Sequence, residues 1–165
     1  MSFDRNSATG RTGQAVRLDG EEGYLVVPKY KGISGTRPRT LAAWIKTATA
    51  SGEIVSWGTN DFGKMWTLGF IRGRVGVTPH GGYLYMNAET HDDRWHHVAV
   101  VVRQAEAPNL YDDVTLYLDG QVAVIHDIEH YARLGREIAG IPGIRSISSN
   151  LWAGGQEMCP RYFIV

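Results

Sequence analysis

The chain has 165 residues, of which 43% are hydrophobic, and its 17 lysines and arginines balance 17 aspartates and glutamates. This length supports one domain with its own core and is short for two, and the composition argues against a disordered, collagen-like or nucleic-acid-binding chain. The one cysteine, Cys159, excludes an intrachain disulfide, and no apolar run reaches the ~18 residues of a membrane-spanning helix.

Apolar and polar residues alternate with a period of two from residue 14 to about residue 126, which predicts strands rather than helices. Asp-Gly pairs at 19–20 and 119–120 and a Gly-Gly pair at 81–82 favour connecting turns, because these residues tolerate positive φ. Short strands at this density predict an all-β sandwich or barrel. The predicted strands are 14–18, 24–28, 40–46, 53–57, 65–71, 74–78, 83–87, 95–103, 114–119 and 121–126.

Two of these runs indicate how the layers stack. The run 95–102 is apolar on both faces and predicts an interior strand that is covered on both sides. The run 114–119 alternates and predicts a strand with one face in water.

Six segments occur in a recognisable order along the chain: 13–20 (GQAVRLDG), 24–28 (YLVVP), 40–46 (TLAAWIK), 53–58 (EIVSWG), 95–101 (WHHVAVV) and 116–120 (LYLDG). Together they resemble the successive strands of a known family, the laminin G-like domains of the concanavalin A-like lectin/glucanase fold. The resemblance implies an antiparallel β-sandwich of the jelly-roll type. In many members the concave face or the rim loops bind glycans or proteins, sometimes with calcium. It implies no chemistry by itself.

The resemblance also bears on the last part of the chain. The family usually closes with a glycine-containing strand and a further strand beside the amino-terminal one. Residues 151–155 resemble the first and 162–164 the opening of the second. We therefore expect a single domain over 1–165 that lacks most of its last strand. Its open edge at 14–18 would be covered in part by 158–165 and would favour self-association.

Two patterns in the sequence bear on catalysis. The segment 126–130 (HDIEH) fits a zinc-peptidase motif that requires a helix, but it follows a strand-like run. On a strand, His126 and His130 would be about 13 Å apart, so a solvated strand end is predicted. A glycosidase on this fold needs two carboxylates close together on the concave face of the sandwich. The strands expected to line this groove, 65–71, 74–78 and 83–87, contain no acid.

Candidate binding residues combine aromatic rings with hydrogen-bonding side chains, as sugar sites do. Tyr83 and Tyr85 share one face of a strand, His80 precedes them, and Asn60 and Asp61 follow an earlier strand. The alternative that both tyrosines only fill the core or groove stays open. Replacing both with alanine is expected to lower ligand affinity by about 1–3 kcal/mol.

The remaining aromatic and acidic residues have structural interpretations. Asp92 and Asp93 are predicted to form a turn by bonding to backbone amides, and His97 to be an interior histidine. The predicted core tryptophans are Trp44, Trp66 and Trp95. Calcium is the one cofactor that the resemblance suggests. The oxygen donors are Asp19, Asp61 and Asp119, but no loop of alternating aspartates places an ion.

The sequence therefore predicts a non-enzymatic carbohydrate-recognition or adhesion module within a larger exported, bacterial surface protein. The alternative is a structural or protein-interaction domain without a sugar site, and the third interpretation is a glycan-active enzyme. Expected partners are a glycan or a cell-surface protein, with no nucleic acid and no membrane insertion. An extracellular or cell-surface location follows from the resemblance alone. The first residues, MSFDRNSATGRTGQ, lack the apolar core of a secretion signal, which is expected outside this sequence.

Overall fold

The computed structural model describes residues 7–18, 24–27, 32–33, 35–58, 64–106, 108–130 and 163–164. Regular secondary structure in these ranges consists of β-strands, as the period-two alternation predicted. In this part of the chain, no helix has the length and apolarity that crossing a bilayer requires. The strands are β1 (Ser7–Thr9), β2 (Gln14–Arg17), β3 (Arg39–Ile45), β4 (Glu53–Gly58), β5 (Met65–Ile71), β6 (Arg74–Thr78), β7 (Gly82–Met86), β8 (His96–Val102), β9 (Val114–Leu118), β10 (Gln121–Val122), β11 (Ile125–His130) and β12 (Phe163–Ile164).

The described strands form antiparallel sheets of three, four and five members. The five-stranded sheet has the order β11-β7-β6-β5-β4, and the four-stranded sheet has the order β10-β9-β8-β3. The three-stranded sheet has the order β1-β2-β12. The predicted Asp-Gly turn joins β9 to β10, with φ angles of 50° at Asp119 and 84° at Gly120.

The four- and five-stranded sheets pack against each other around an apolar core. Val98 and Leu116 enter this core from the four-stranded sheet, and Leu68, Val75 and Leu84 enter it from the five-stranded sheet. Burying each of these side chains stabilises the fold by about 1.5–3 kcal/mol. The prediction of an antiparallel β-sandwich is confirmed.

Two strand predictions are wrong. Residues 24–27 form no strand, and their side chains are all exposed. No described strand hydrogen-bonds to these residues, and β-propensity alone does not hold a strand. The predicted strand 121–126 is two strands in different sheets. β10 ends at Val122, and after a two-residue crossing β11 begins at Ile125 beside β7.

The strand at 14–17 has neighbours on both sides. β1 pairs with residues 14–16 of β2, and β12 pairs Phe163 with Arg17 and Ile164 with Val16. The short β1 was not predicted, because three residues are too few for alternation to be recognised. Residues 151–155, predicted as the penultimate strand, lie outside the described residues.

The predicted core tryptophans are only partly in the core. Trp66 is buried there as predicted, together with Trp57, which was not predicted. Trp44 and Trp95 are half-buried. The neighbours of Trp44 on β3 point into the core, so its ring lies on the outer face of the four-stranded sheet, 5.2 Å from the ring of His97. His97 is therefore not the interior histidine that was predicted.

Candidate functional site

The outer face of the five-stranded sheet carries the two tyrosines predicted to bind a ligand. On β7, Leu84 points into the core, so Tyr83 and Tyr85 point to the opposite face. The prediction that the two tyrosines share one face of a strand is confirmed. The neighbouring strand β11 places Asp127 directly opposite Tyr85 and Glu129 directly opposite Tyr83. Side chains opposite one another on paired strands share a face, so two tyrosines and two carboxylates meet here.

The carboxylate of Asp127 joins the side chains of this face. Its Oδ2 accepts hydrogen bonds from the hydroxyls of Tyr83 at 3.2 Å and Tyr85 at 3.4 Å. Nη1 of Arg72, from the turn between β5 and β6, lies 3.5 Å from the same oxygen. The backbone N–H of Ile128 donates to Oδ1 at 2.9 Å. One carboxylate thus connects a turn and two strands and fixes both tyrosine rings.

The rings beside Asp127 form a row. The ring centroids of Tyr83 and Tyr85 are 5.6 Å apart with planes at 37°, and those of Tyr85 and His126 are 5.4 Å apart with planes at 27°. The guanidinium carbon of Arg72 lies 4.9 Å from the centroid of Tyr83, within cation–π range. We refer to Arg72, Tyr83, Tyr85, His126 and Asp127 as the tyrosine cluster.

Solvent exposure differs sharply within the tyrosine cluster. Tyr85 is only 3% exposed, whereas Tyr83 is half-buried and His126 is exposed. The side chains of Arg72 and Asp127 are 63% and 41% exposed. The groups that face solvent are therefore a guanidinium, a carboxylate and an imidazole, with part of the Tyr83 ring.

The Tyr83 hydroxyl remains protonated at neutral pH. Its hydrogen bond to Glu129, its burial and its hydrogen bond to Asp127 raise the pKa of Tyr83 to about 12, against the opposing effect of the Arg72 charge. Both carboxylates stabilise the neutral phenol, since a phenolate beside them would be repelled. Tyr83 therefore acts as a hydrogen-bond donor in this cluster.

Gly76 allows Tyr85 to take its place. Gly76 on β6 pairs with Tyr85 on β7. A Cβ atom at residue 76 would lie 2.3 Å from the carbonyl oxygen of Leu84 and 2.5 Å from the Cβ of Tyr85. Real Cβ atoms do not approach other atoms so closely, so a glycine at this position is what lets β6 and β7 pair beneath the tyrosine cluster.

The other predicted site residues are not brought into the tyrosine cluster by the described structure. His80 lies in the turn between β6 and β7, where it is exposed and has a φ of 59°. Asn60 and Asp61 lie outside the described residues.

Sequence reasoning missed three members of the cluster. Arg72 is the first residue of the two-residue turn between β5 and β6, with a positive φ of 50°. His126 and Asp127 were assigned to a strand end, whereas they belong to β11. A prediction of residues 125–130 as a separate strand paired with β7 would have placed His126 and Asp127 beside the tyrosines. The expectation that the groove strands contain no acid holds for β5, β6 and β7, but β11 brings two carboxylates to the same face.

A family model for laminin G-like domains matches residues 19–132, which is more than half of the chain. The chain belongs to the concanavalin A-like lectin/glucanases superfamily. The resemblance drawn from the six segments is confirmed, and the LamG-like match covers the strands that form the sandwich and the tyrosine cluster. A search of curated proteins found no match. As its name states, the superfamily includes both lectins and glucanases. Membership therefore does not distinguish binding from hydrolysis, and the distinction rests on the chemistry of the side chains at the site.

The zinc-peptidase pattern at 126–130 lies on a strand in this LamG-like domain. Ile125–His130 is β11, so the helix that the motif requires is not formed, as predicted. In the ranges that the structure describes, no three His, Cys, Asp or Glu side chains are grouped as a metal ion would require. Of the three predicted calcium donors, Asp19 and Asp61 are outside those ranges.

Asp119, the third predicted donor, belongs to a second polar cluster at the start of β8. Nδ1 of His96 lies 2.9 Å from Oδ2 of Asp119, and Nε2 of the same ring lies 3.1 Å from Oδ1 of Asp92. The backbone N–H of His97 donates to Asp119 at 2.8 Å, and that of Arg94 donates to Asp92 at 3.0 Å. The predicted turn role of Asp92 is confirmed. This cluster ties the turn before β8 to the turn between β9 and β10.

The acid stability of the domain is expected to depend on Asp92. The side-chain hydrogen bond from Arg94, followed by its backbone N–H and the His96 ring, lowers the pKa of Asp92 to about 2. A carboxyl whose pKa is lower in the folded than in the unfolded state contributes stability above about pH 4 and loses it as the pH falls toward 2. Burial raises the pKa of Asp119, but the hydrogen bonds from the His96 ring and the His97 backbone N–H outweigh it and lower the pKa below its ordinary value.

Urea denaturation of the wild type and Asp92→Asn between pH 6 and pH 2 measures this contribution. The wild type should be the more stable protein at pH 6, and the difference should shrink steadily below pH 4. A difference that stays constant down to pH 2 would show that Asp92 is not linked to folding through its charge.

Proposed function

We propose that this LamG-like domain is a non-catalytic carbohydrate-recognition or adhesion module of a larger exported protein, and that the tyrosine cluster contacts the ligand. Membership of a superfamily that contains lectins supports the class of ligand. The observation that carries the proposal is the partly exposed row of rings beside a carboxylate and a guanidinium on the outer face of the five-stranded sheet. Rings stack on the C–H faces of sugars while charged and amide groups bind their hydroxyls.

The tyrosine cluster is held in place before any ligand arrives. Asp127 fixes both phenol groups, and Asn87 fixes His126 through a contact of 2.8 Å between Asn87 Oδ1 and His126 Nδ1. A binding site that is already ordered loses less side-chain entropy when it binds. The rigidity of this face therefore favours a recognition role.

The contacts of Asp127 favour binding over hydrolysis. A glycosidase needs one carboxyl that donates a proton to the leaving group and a second that acts as base or nucleophile. Asp127 instead accepts hydrogen bonds from two phenols and a backbone N–H and faces Arg72, and Glu129 bonds to Tyr83. These carboxylates position rings, so we expect no turnover.

The burial of Tyr85 favours the alternative function, a structural or protein-interaction domain. Its ring is enclosed between those of Tyr83 and His126 and offers no face to a sugar. A groove filled by its own side chains is what an interaction module would show. Replacing Tyr83, which remains partly exposed, separates the two functions.

Tyr83→Ala is expected to lower glycan affinity about tenfold, equivalent to ~1.4 kcal/mol. The exposed Tyr111, in the connection between β8 and β9, provides a matched control as Tyr111→Ala. Affinity is measured by isothermal titration with the oligosaccharide that gives the strongest array signal. Equal affinities for the two variants and the wild type would remove Tyr83 from the site.

A glycan array probed with and without calcium tests the proposal as a whole. Binding of at least one glycan class, with the bound oligosaccharide recovered intact after prolonged incubation, is the expected result. Binding to no glycan in either condition would leave the interaction module as the function. Cleavage that is abolished by Asp127→Asn or Glu129→Gln would identify an enzyme.

A further inference from the structure

The most exposed ring in the tyrosine cluster is that of His126. Tyr85 is 3% exposed, with Tyr83 on one side and His126 on the other. The guanidinium of Arg72 lies over the ring of Tyr83. His126 is exposed, and because one of its faces packs on Tyr85, the opposite face is presented to solvent. A ligand that stacks at this site therefore meets His126 first.

The orientation of the His126 ring is fixed from two sides. Tyr85 packs beneath the ring at 27°, and Asn87 Oδ1 lies 2.8 Å from Nδ1. An amide oxygen only accepts hydrogen bonds, so Nδ1 donates its proton to Asn87. His126 thus offers a stacking surface to the C–H face of a sugar.

Next to this ring, a donor and an acceptor lie side by side. Nη1 of Arg72 and Oδ2 of Asp127 are 3.5 Å apart, and both side chains are well exposed. Two neighbouring hydroxyls of a sugar match such a pair, because one accepts from the guanidinium and the other donates to the carboxylate. An anionic ligand fits less well, since the charge of Asp127 offsets that of Arg72 and Glu129 adds a second negative charge.

We infer, on the basis of the proposed function, that the site selects neutral glycans with adjacent free hydroxyls, which stack on His126 and bridge Arg72 and Asp127. Tyr85 is then a positioning residue that supports His126 from below. Acidic sugars, such as uronic acids and sulfated sugars, are rejected by the two carboxylates.

The test uses one array that carries two panels of equal chain length. One panel holds neutral gluco-, galacto- and manno-configured oligosaccharides, and the other holds their uronic-acid and sulfated counterparts. The full chain is compared with His126→Ala, His126→Phe and Asp127→Asn, and Glu106→Gln, at an exposed position outside the tyrosine cluster, is the matched control. Thermal unfolding of every variant establishes that it is folded before its affinity is measured.

The wild type and Glu106→Gln should bind only the neutral panel. His126→Ala should lose at least about tenfold in affinity, while His126→Phe, which keeps a stacking ring, should stay within about threefold of the wild type. Asp127→Asn should lose about tenfold on the neutral panel and should gain signal on the acidic panel, because a repulsive charge is removed.

The outcomes separate the inference from the proposed function. Wild-type binding to the acidic panel, or neutral binding that survives both His126→Ala and Asp127→Asn, would overturn the inference while the carbohydrate-recognition function stands. Binding to neither panel would overturn both.

Discussion

Replacing Gly76 with alanine is expected to lower the free energy of unfolding by about 3 kcal/mol or more. The added Cβ would lie 2.3 Å from the Leu84 carbonyl oxygen, 2.5 Å from the Tyr85 Cβ and 2.7 Å from the Tyr85 Cα. These are backbone and near-backbone atoms of a paired strand, so they move only if β6 and β7 separate. Both strands lie inside the five-stranded sheet, and their separation would also uncover core residues.

Gly120→Ala is the matched control for this prediction. Gly120 has a φ of 84°, and a Cβ built there would meet nothing within 4 Å. Its replacement should cost only the backbone strain of a left-handed alanine, about 1 kcal/mol. Chemical denaturation measures both variants. A Gly76→Ala protein as stable as Gly120→Ala would show that β6 and β7 adjust without loss of pairing.

Arg39→Ala is expected to lower the free energy of unfolding by about 2–3 kcal/mol. Arg39 begins β3 and is only 5% exposed. Its guanidinium donates hydrogen bonds to the carbonyl oxygens of Ile33 at 2.9 Å and Arg37 at 3.1 Å and to that of Gly35. It also lies 5.5 Å from the ring centroid of Trp66. Removing it leaves three backbone carbonyls without their donor and takes a cation from the face of a core tryptophan.

The exposed neighbour Arg37 provides the control for Arg39. Arg37→Ala keeps the backbone carbonyl that Arg39 contacts. The pKa of Arg39 is lowered mainly by burial and secondly by the positive charge of Arg37, which this variant removes. Its stability should be within about 0.5 kcal/mol of the wild type. Equal denaturation midpoints for Arg39→Ala and Arg37→Ala would show that the hydrogen bonds of the Arg39 guanidinium do not contribute to stability.

The sequence predicts the central strands well because their alternation is long. β5 and β6 begin and end at the predicted residues, since apolar side chains of both enter the core at every second position. The same rule misassigns 24–27, where apolar residues are exposed without a strand partner. Alternation reports which side chains suit a sheet, whereas a strand also needs a neighbouring strand for its hydrogen bonds.

The candidate site could be predicted only in part, for the same reason. Tyr83 and Tyr85 are found from alternation within one strand. Arg72, 11 residues before Tyr83, comes from the turn between β5 and β6. His126 and Asp127, more than 40 residues after Tyr83, meet the tyrosines only through the register of β11 against β7. The register depends on the chain leaving β10 after two residues and crossing to the other sheet. Nothing in the local pattern at 121–126 marks that crossing.

Backbone amide NMR of the ¹⁵N-labelled chain, titrated with a neutral oligosaccharide selected on the array, tests carbohydrate recognition at the tyrosine cluster most directly. The largest shift changes should map to residues 72, 83, 85 and 126–129, with smaller changes along β6. Saturating shifts confined to another face, such as the outer face of the four-stranded sheet around Trp44, would contradict this location. Spectra unchanged at millimolar sugar would contradict carbohydrate recognition itself.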